Sequence, residues 1–421
     1  MTTRTPAAAE IFGPETSLTA DAPRTFRRID EGCYAMALDT LGIEFHVHRL
    51  RRKWDELMGE LTVRCTLAGA QTFGDVLSVA DFNLSSLRAR QERARYLASR
   101  AKAKDLDWEG LLEEFCARVH AAERAGQPAV SLRDLPRPTP DDVIDVDGLR
   151  LIDRHPIVLF GDGGTAKSYV ALYIAGRLAQ QHIRPVIFDW ELAGEDHRDR
   201  LERLFGPDMP DVRYVRCERP LAHEVDRLRR IVREDEIAYA IFDSVGFACD
   251  GPPEAAEVAA RYFQAVRQIN VGSLHVAHIS KADGADQKPF GSTFWHNGGR
   301  ATWNVKLAEA LPSRNTINVA LLNRKSNLGG LRPEVGFEVT FDDDRTTFRR
   351  VEVAAVEDLA GCLPIRRRMA YLLHRGALSP EAIADELEAD VETVKRTVRR
   401  NKQLFTTIPG GKLALLEKRH A

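Results

Sequence analysis

Apolar positions in the middle of the chain follow two alternating rhythms. Unbroken apolar runs at 156–160, 185–189, 238–242, 274–279 and 317–322 have the length of strands buried on both faces. Between them, apolar residues recur at three-and-four spacing. Val170, Ile174, Ala175 and Leu178 do so within 169–181, and 195–205, 223–233 and 253–269 read the same way. This βαβ rhythm predicts an α/β domain over 143–356, a mainly parallel sheet with helices on both faces. Runs at 335–341 and 347–353 add a β-ribbon turning through Asp342 to Arg345.

The flanks read differently. Residues 1–125 form an N-terminal α+β region, whose first 22 residues lack an apolar core and are expected to be a disordered lead-in. Alternation at 43–50 and 60–67 predicts a small strand pair. Asn83 or Ser85 is the expected cap of a helix carrying Arg88, Arg90, Arg93, Arg95 and Arg100, a face for nucleic acid or for solvent. Trp108, Leu111, Leu112, Phe115, Cys116 and Val119 mark a second helix. Residues 126–142, with Pro128, Pro136, Pro138 and Pro140, have linker composition. Residues 363–421 show three short amphipathic helices and a hairpin turning at Pro409-Gly410-Gly411, a winged-helix pattern. In its third helix Val391, Val394 and Val398 face inward. Arg396, Arg399 and Arg400 face out, where they suit duplex DNA or a protein partner.

Length and charge narrow the function. A chain of 421 residues exceeds one ordinary core. With 60 basic and 62 acidic residues, net charge −2, it does not coat nucleic acid as a whole, so any such site is a local patch. No apolar run is long enough for a bilayer. Six scattered cysteines without a Cys-x-x-Cys pair suit buried thiols in a reducing cytoplasm. His46 and His48 alternate on a strand with no third metal ligand nearby in sequence.

The chemistry concentrates at Gly161, Asp162, Gly163, Gly164, Thr165, Ala166, Lys167 and Ser168, between an apolar run and a helical one. A glycine-rich turn there points backbone N–H groups and a helix N-terminus at a phosphate. Lys167 is expected to reach the β- and γ-phosphates, and the Ser168 hydroxyl to ligate Mg²⁺. Ala166 stands where glycine is usual. Its methyl is tolerable at negative φ and damaging at positive φ. Asp243 ends a later apolar run and suits a Mg²⁺-bound water. Glu191 is the candidate for orienting the attacking water, with Asp189 the alternative.

In order along the chain, the phosphate loop, Asp-Trp-Glu at 189–191, Phe-Asp-Ser at 242–244, His-Val-Ala-His-Ile-Ser-Lys at 275–281 and Asn-Arg-Lys-Ser-Asn at 323–327 resemble the RecA-fold ATPases. The likeness is to the RepA-like and DnaB-like hexameric helicase branch, over about residues 142–353. It implies that Glu191 activates water, Asp243 supports Mg²⁺ and His278 senses the γ-phosphate. It also implies a ring, a hexamer, in which Arg324 and Lys325 reach a neighbour's nucleotide. The loop after His278 would then meet single-stranded DNA through Lys281 and Lys288, ahead of Phe294, Trp295 and Trp303; Arg300 could contact nucleotide instead. The departure at Ala166 bears on turnover.

The expected protein is thus a cytoplasmic, ATP-hydrolysing, oligomeric DNA motor, a RepA-like helicase of a mobile element using ATP and Mg²⁺. The alternatives are an ATP-switched DNA-binding regulator and a nucleotide-binding scaffold with little turnover.

Overall fold

The structure, a computed structural model, describes residues 23–126, 128–137, 143–278, 293–309, 313–327 and 329–416. The expected disordered lead-in, part of the linker, Lys281 and Lys288 lie outside the described residues. The chain divides into two compact units, Met1–Arg137 and Pro138–Ala421.

In the first unit, β1 (Thr25–Asp30), β2 (Cys33–Leu38), β3 (Ile43–Lys53), β4 (Glu56–Cys65) and β5 (Val76–Asn83) pair antiparallel in chain order. The expected strand pair is the centre of this five-stranded sheet. Polar β1 and β5 concealed the rest, since Arg27, Arg28, Asp81 and Asn83 break their apolar alternation. Two helices, α1 (Leu87–Ala101) and α2 (Trp108–Ala125), bury Leu97, Trp108, Leu111 and Phe115 against Phe45, Val47 and Leu61. The α1 cap is Ser86, whose Oγ accepts the Ala89 N–H at 3.2 Å. Neither expected residue is free for that role: Asn83 accepts the Ser85 N–H, and Ser85 Oγ accepts the Leu57 N–H. Along α1, Arg88 pairs with Glu92, Arg90 with Glu113, and Arg93 donates to Ser78 Oγ.

The second unit begins with a hairpin, β6 (Val143–Val146) and β7 (Leu149–Ile152). A nine-stranded sheet follows, of β8 (Pro156–Gly161), β9 (Pro185–Asp189), β10 (Arg213–Arg216), β11 (Tyr239–Asp243), β12 (Gly272–His278), β13 (Ala301–Leu307), β14 (Thr316–Ser326), β15 (Val335–Phe341) and β16 (Thr346–Val351). Its order is β10-β9-β11-β12-β8-β13-β14-β15-β16, parallel from β10 to β13 and antiparallel beyond. The central strands are apolar throughout because both faces are covered. Helices α3 (Lys167–Gln180) and α4 (Gly194–Phe205) pack on one side, α5 (Leu221–Glu234) and α6 (Ala256–Ile269) on the other. Each fully buried Val, Leu, Ile or Phe there contributes about 1.5–3 kcal/mol.

Beyond the sheet come α7 (Thr293–Gly298), preceding β13 in the chain, and a C-terminal group of α8 (Ile365–Leu373), α9 (Pro380–Glu386), α10 (Val391–Arg400), β17 (Phe405–Thr407) and β18 (Leu413–Leu415). Ser379 Oγ accepts the Ala382 N–H and Asp390 Oδ1 the Glu392 N–H, so both helices start where the capping residues stand. Met369, Ile383, Val394, Phe405 and Leu413 form the group's own core.

Candidate nucleotide site

The loop leaves β8 at Gly161, wedged between two neighbouring strands. A Cβ there would stand 2.6 Å from the Val305 carbonyl oxygen, so only glycine fits. Gly164 (φ 74°) and Ala166 (φ 58°) are both left-handed, turning the intervening N–H groups to one side. Ala166 thus falls in the unfavourable case: its methyl costs about 1–2 kcal/mol in that conformation. Lys167 opens α3 and is 6% exposed. Its Nζ donates to the Asp162 carbonyl and, at 3.5 Å, to Thr165 Oγ1. Burial lowers the ammonium's pKa, while Asp243, Asp162 and Glu191 act in the opposite sense.

Asp243 ends β11 and is 4% exposed. Burial pushes its carboxyl up to about 6; the Ser168 hydrogen bond opposes this, and Asp189 adds to it. Its Oδ1 is buried with no hydrogen-bond partner among the described residues. An orphaned carboxylate oxygen beside a serine hydroxyl is an all-oxygen donor pair of the kind Mg²⁺ takes, so these residues fit that ion.

Asp189 ends β9 beside Asp243 in register and is wholly buried. Its Oδ1 accepts the N–H groups of Glu191 (2.6 Å) and Leu192 (3.1 Å), and its Oδ2 lies 2.6 Å from His197 Nε2 on α4. Burial raises its pKa, but His197 and the two N–H groups outweigh that and hold it low. Both oxygens of Asp189 are therefore engaged. The Glu191 carboxylate is exposed, and its charge acts on Lys167, Asp243 and His278. His278, half-buried at the end of β12, pairs in register with Gly161; burial and then Lys167 lower its pKa.

The other expected residues divide. Arg324 on β14 is exposed and without a partner among the described residues. Lys325 donates to the carbonyl oxygens of His296 (2.7 Å), Asn297 (3.1 Å) and Gly299 (2.8 Å), holding the C-terminal end of α7. An ammonium with all three donors engaged in its own chain is not available to a neighbour's phosphate, which corrects the expectation for Lys325. Trp295 and Trp303 are core residues, whereas Phe294 is 49% exposed. On α10, Arg396, Arg399 and Arg400 are exposed as expected; Arg396 donates to Thr393 Oγ1, and Arg399 pairs with Glu392.

Two polar residues at the site carried no sequence signal. His197 follows Asp189 by eight residues across a turn, a spacing that belongs to no helix or strand period. Asn304 on β13 donates to the Phe160 carbonyl at 3.4 Å, and its Oδ1 is buried without a partner among the described residues.

No family model and no curated protein matches the chain. Among solved structures, it is similar to the ATPase domain of a DnaB-like helicase, at 10% identity and a TM-score of 0.39 over 48% of this chain and 86% of that one. It is also similar to the KaiC-like protein PH0186 from Pyrococcus horikoshii OT3, at 15% identity and a TM-score of 0.37 over 47% of this chain and 91% of that one. The reading below rests on the strand order and the site's own geometry. No helix among the described residues is long and apolar enough to cross a membrane.

Proposed function

We propose that this chain is an ATP-hydrolysing, oligomeric, DNA-associated motor of the cytoplasm, a RepA-like helicase of a mobile element. The observation that carries the ATPase reading is the convergence of Lys167, Ser168, Asp243 and Glu191 around one glycine-rich loop.

Residues 143–356 would be the motor and 363–421 a winged-helix unit, joined to the 1–125 region through 126–142. The loop N–H groups and Lys167 bind the β- and γ-phosphates, with Lys167 exchanging its Asp162 carbonyl for phosphate oxygens. Ser168 and Asp243 would hold Mg²⁺, which neutralises phosphate charge when bound. Glu191, held by the Asp189 cap, orients a water and takes its proton as the oxygen attacks the γ-phosphorus. ADP leaves and inorganic phosphate forms. His278 contacts the γ-phosphate. In a ring, taken here as a hexamer, Arg324 reaches the neighbour's nucleotide. Lys281 and Lys288 serve single-stranded DNA, and Arg396, Arg399 and Arg400 duplex DNA.

The test is ATP hydrolysis with and without single-stranded DNA, beside strand displacement and sizing. Stimulated hydrolysis with displacement supports the motor; no hydrolysis at all refutes it. The exposed cations of α10 favour a second reading, an ATP-switched regulator on duplex DNA. It predicts hydrolysis without displacement.

A further inference from the structure

The tip of the β3–β4 hairpin is a charged projection with one aromatic ring on it. Residues 51–56 are all exposed, and Trp54 is 90% exposed. Trp108, Trp190, Trp295 and Trp303 are at most 7% exposed. Trp54 (φ 52°) and Asp55 (φ 66°) fill the two central positions of the turn joining Lys53 to Glu56, both left-handed. Such a turn favours Asn-Gly and disfavours a bulky side chain. A tryptophan that is neither packed nor suited to its backbone calls for a role outside the fold.

Cations surround it. Arg49 and Arg51 are paired, with Glu60 and Asp81. Arg52 and Lys53 have no partner among the described residues, and neither does exposed Arg124 at the end of α2. Arg52 and Arg124 belong to one positive cluster: burial, then Arg124, Arg90 and Arg52, lower the pKa of His120 between them. Of the nearby acids, Glu56 accepts from Asn83, and Asp55 stands opposed to the cations.

We propose that this hairpin is a single-stranded nucleic-acid site, where an unstacked base lies on Trp54 and its flanking phosphates meet Arg52, Lys53 and Arg124. A lone exposed ring beside cations is what sequence-tolerant base stacking needs. Docking of a protein would favour an apolar patch around the ring. Here the neighbours Arg51, Arg52, Lys53, Asp55 and Glu56 are all charged and exposed.

The site goes beyond the proposed motor chemistry, since it lies in the first unit and uses no nucleotide. Titrating the full chain with a short oligothymidylate should quench the exposed tryptophan's emission. Trp54→Ala should remove that quenching and weaken binding roughly 5- to 150-fold. Trp54→Phe should keep most of the affinity. Arg52→Ala with Lys53→Ala should reduce the salt slope by about 1.4. Trp54→Gly, which suits the turn, and far-UV circular dichroism keep loss of binding distinct from loss of fold. Lys167→Ala should quench as the parent does, so failure of the ATPase reading leaves this result intact. Absence of quenching, or unchanged affinity in Trp54→Ala, overturns the proposal. So does emission that shifts only with vesicles containing phosphatidylserine, which would make the tip a lipid contact.

Discussion

His197 Nε2 lies 2.6 Å from Asp189 Oδ2, with the two residues 5% and 0% exposed, and this buried pair fixes the start of the segment that carries Glu191. The other Asp189 oxygen accepts the Glu191 N–H, so loosening the pair loosens the candidate base. His197→Ala should cost about 1.5–3 kcal/mol in denaturant unfolding, as for a hydrogen bond to a charged group. It should lower turnover more than ATP affinity, with partial rescue by His197→Asn. Because the folded-state pKa of Asp189 is depressed, its contribution is present above the unfolded value of about 3.9 and is lost as pH falls through the lower folded value.

Asp243 has the opposite sign. Its folded pKa is raised to about 6, so the stability of its protonated form is full below about pH 3.9 and disappears as pH rises through about 6. Two pKa units correspond to on the order of 3 kcal/mol. Between those values parent stability should therefore fall relative to Asp243→Asn, measured by denaturant midpoints at a series of pH values. Stabilisation by Mg²⁺ and ATP should weaken below about pH 6, where the ion competes with a proton. Equal pH profiles for parent and variant would remove Asp243 from this role.

Lys167→Ala should abolish hydrolysis, and Glu191→Gln should retain ATP binding while losing it. Asp189→Asn tests the alternative base. With both Asp189 oxygens engaged, that variant should lose stability along with activity, by about 3–5 kcal/mol as for a broken buried pair. If Asp189→Asn alone binds ATP normally without hydrolysis, the assignments exchange.

What the chain discloses in one dimension depends on whether neighbours in sequence are neighbours in space. The phosphate loop was legible because strand, turn and helix are consecutive, and β9 and β15 have the expected bounds. β13 was hidden: its Thr302 and Asn304 look solvated, yet both are buried beside β8. The strand order, with β12 inserted between β11 and β8, lies in tertiary pairing and leaves no local trace. Lys325 read as a free cation because nothing in its own segment announces the three carbonyls at the end of α7.

Ala166→Gly should be mildly stabilising. Relief of the left-handed conformation contributes about 1–2 kcal/mol, and the more flexible unfolded chain offsets about 0.4–1. A net gain of roughly 0.5–1 kcal/mol should appear as a higher melting temperature. Ala166→Val should go the other way, since a β-branched side chain suits positive φ least. A lower melting temperature for Ala166→Gly would mean that the alanine is not strained at this position.

Arg324 and Lys325 are adjacent in sequence, yet their surroundings give them different predicted defects. Lys325→Ala frees three carbonyl oxygens at the end of α7 and should lower stability, with any loss of turnover following from that. Arg324→Ala removes an exposed, unpartnered cation and should leave the melting temperature unchanged while reducing hydrolysis, by ~10³-fold if the guanidinium meets the transferring phosphoryl group. The ring model adds a sharper condition. An Arg324→Ala subunit keeps an intact phosphate loop but cannot complete its neighbour's site, and a Lys167→Ala subunit has the reverse defect. Mixing the two inactive variants should restore part of the activity, because some boundaries then combine an intact loop with an intact guanidinium. Strictly coordinated rings would stay silent, so the mixture is run beside sizing and nucleotide binding, and with parent subunits doped by either variant. Full hydrolysis by a strict monomer, or parent-like turnover in Arg324→Ala, would return Arg324 to the solvated surface.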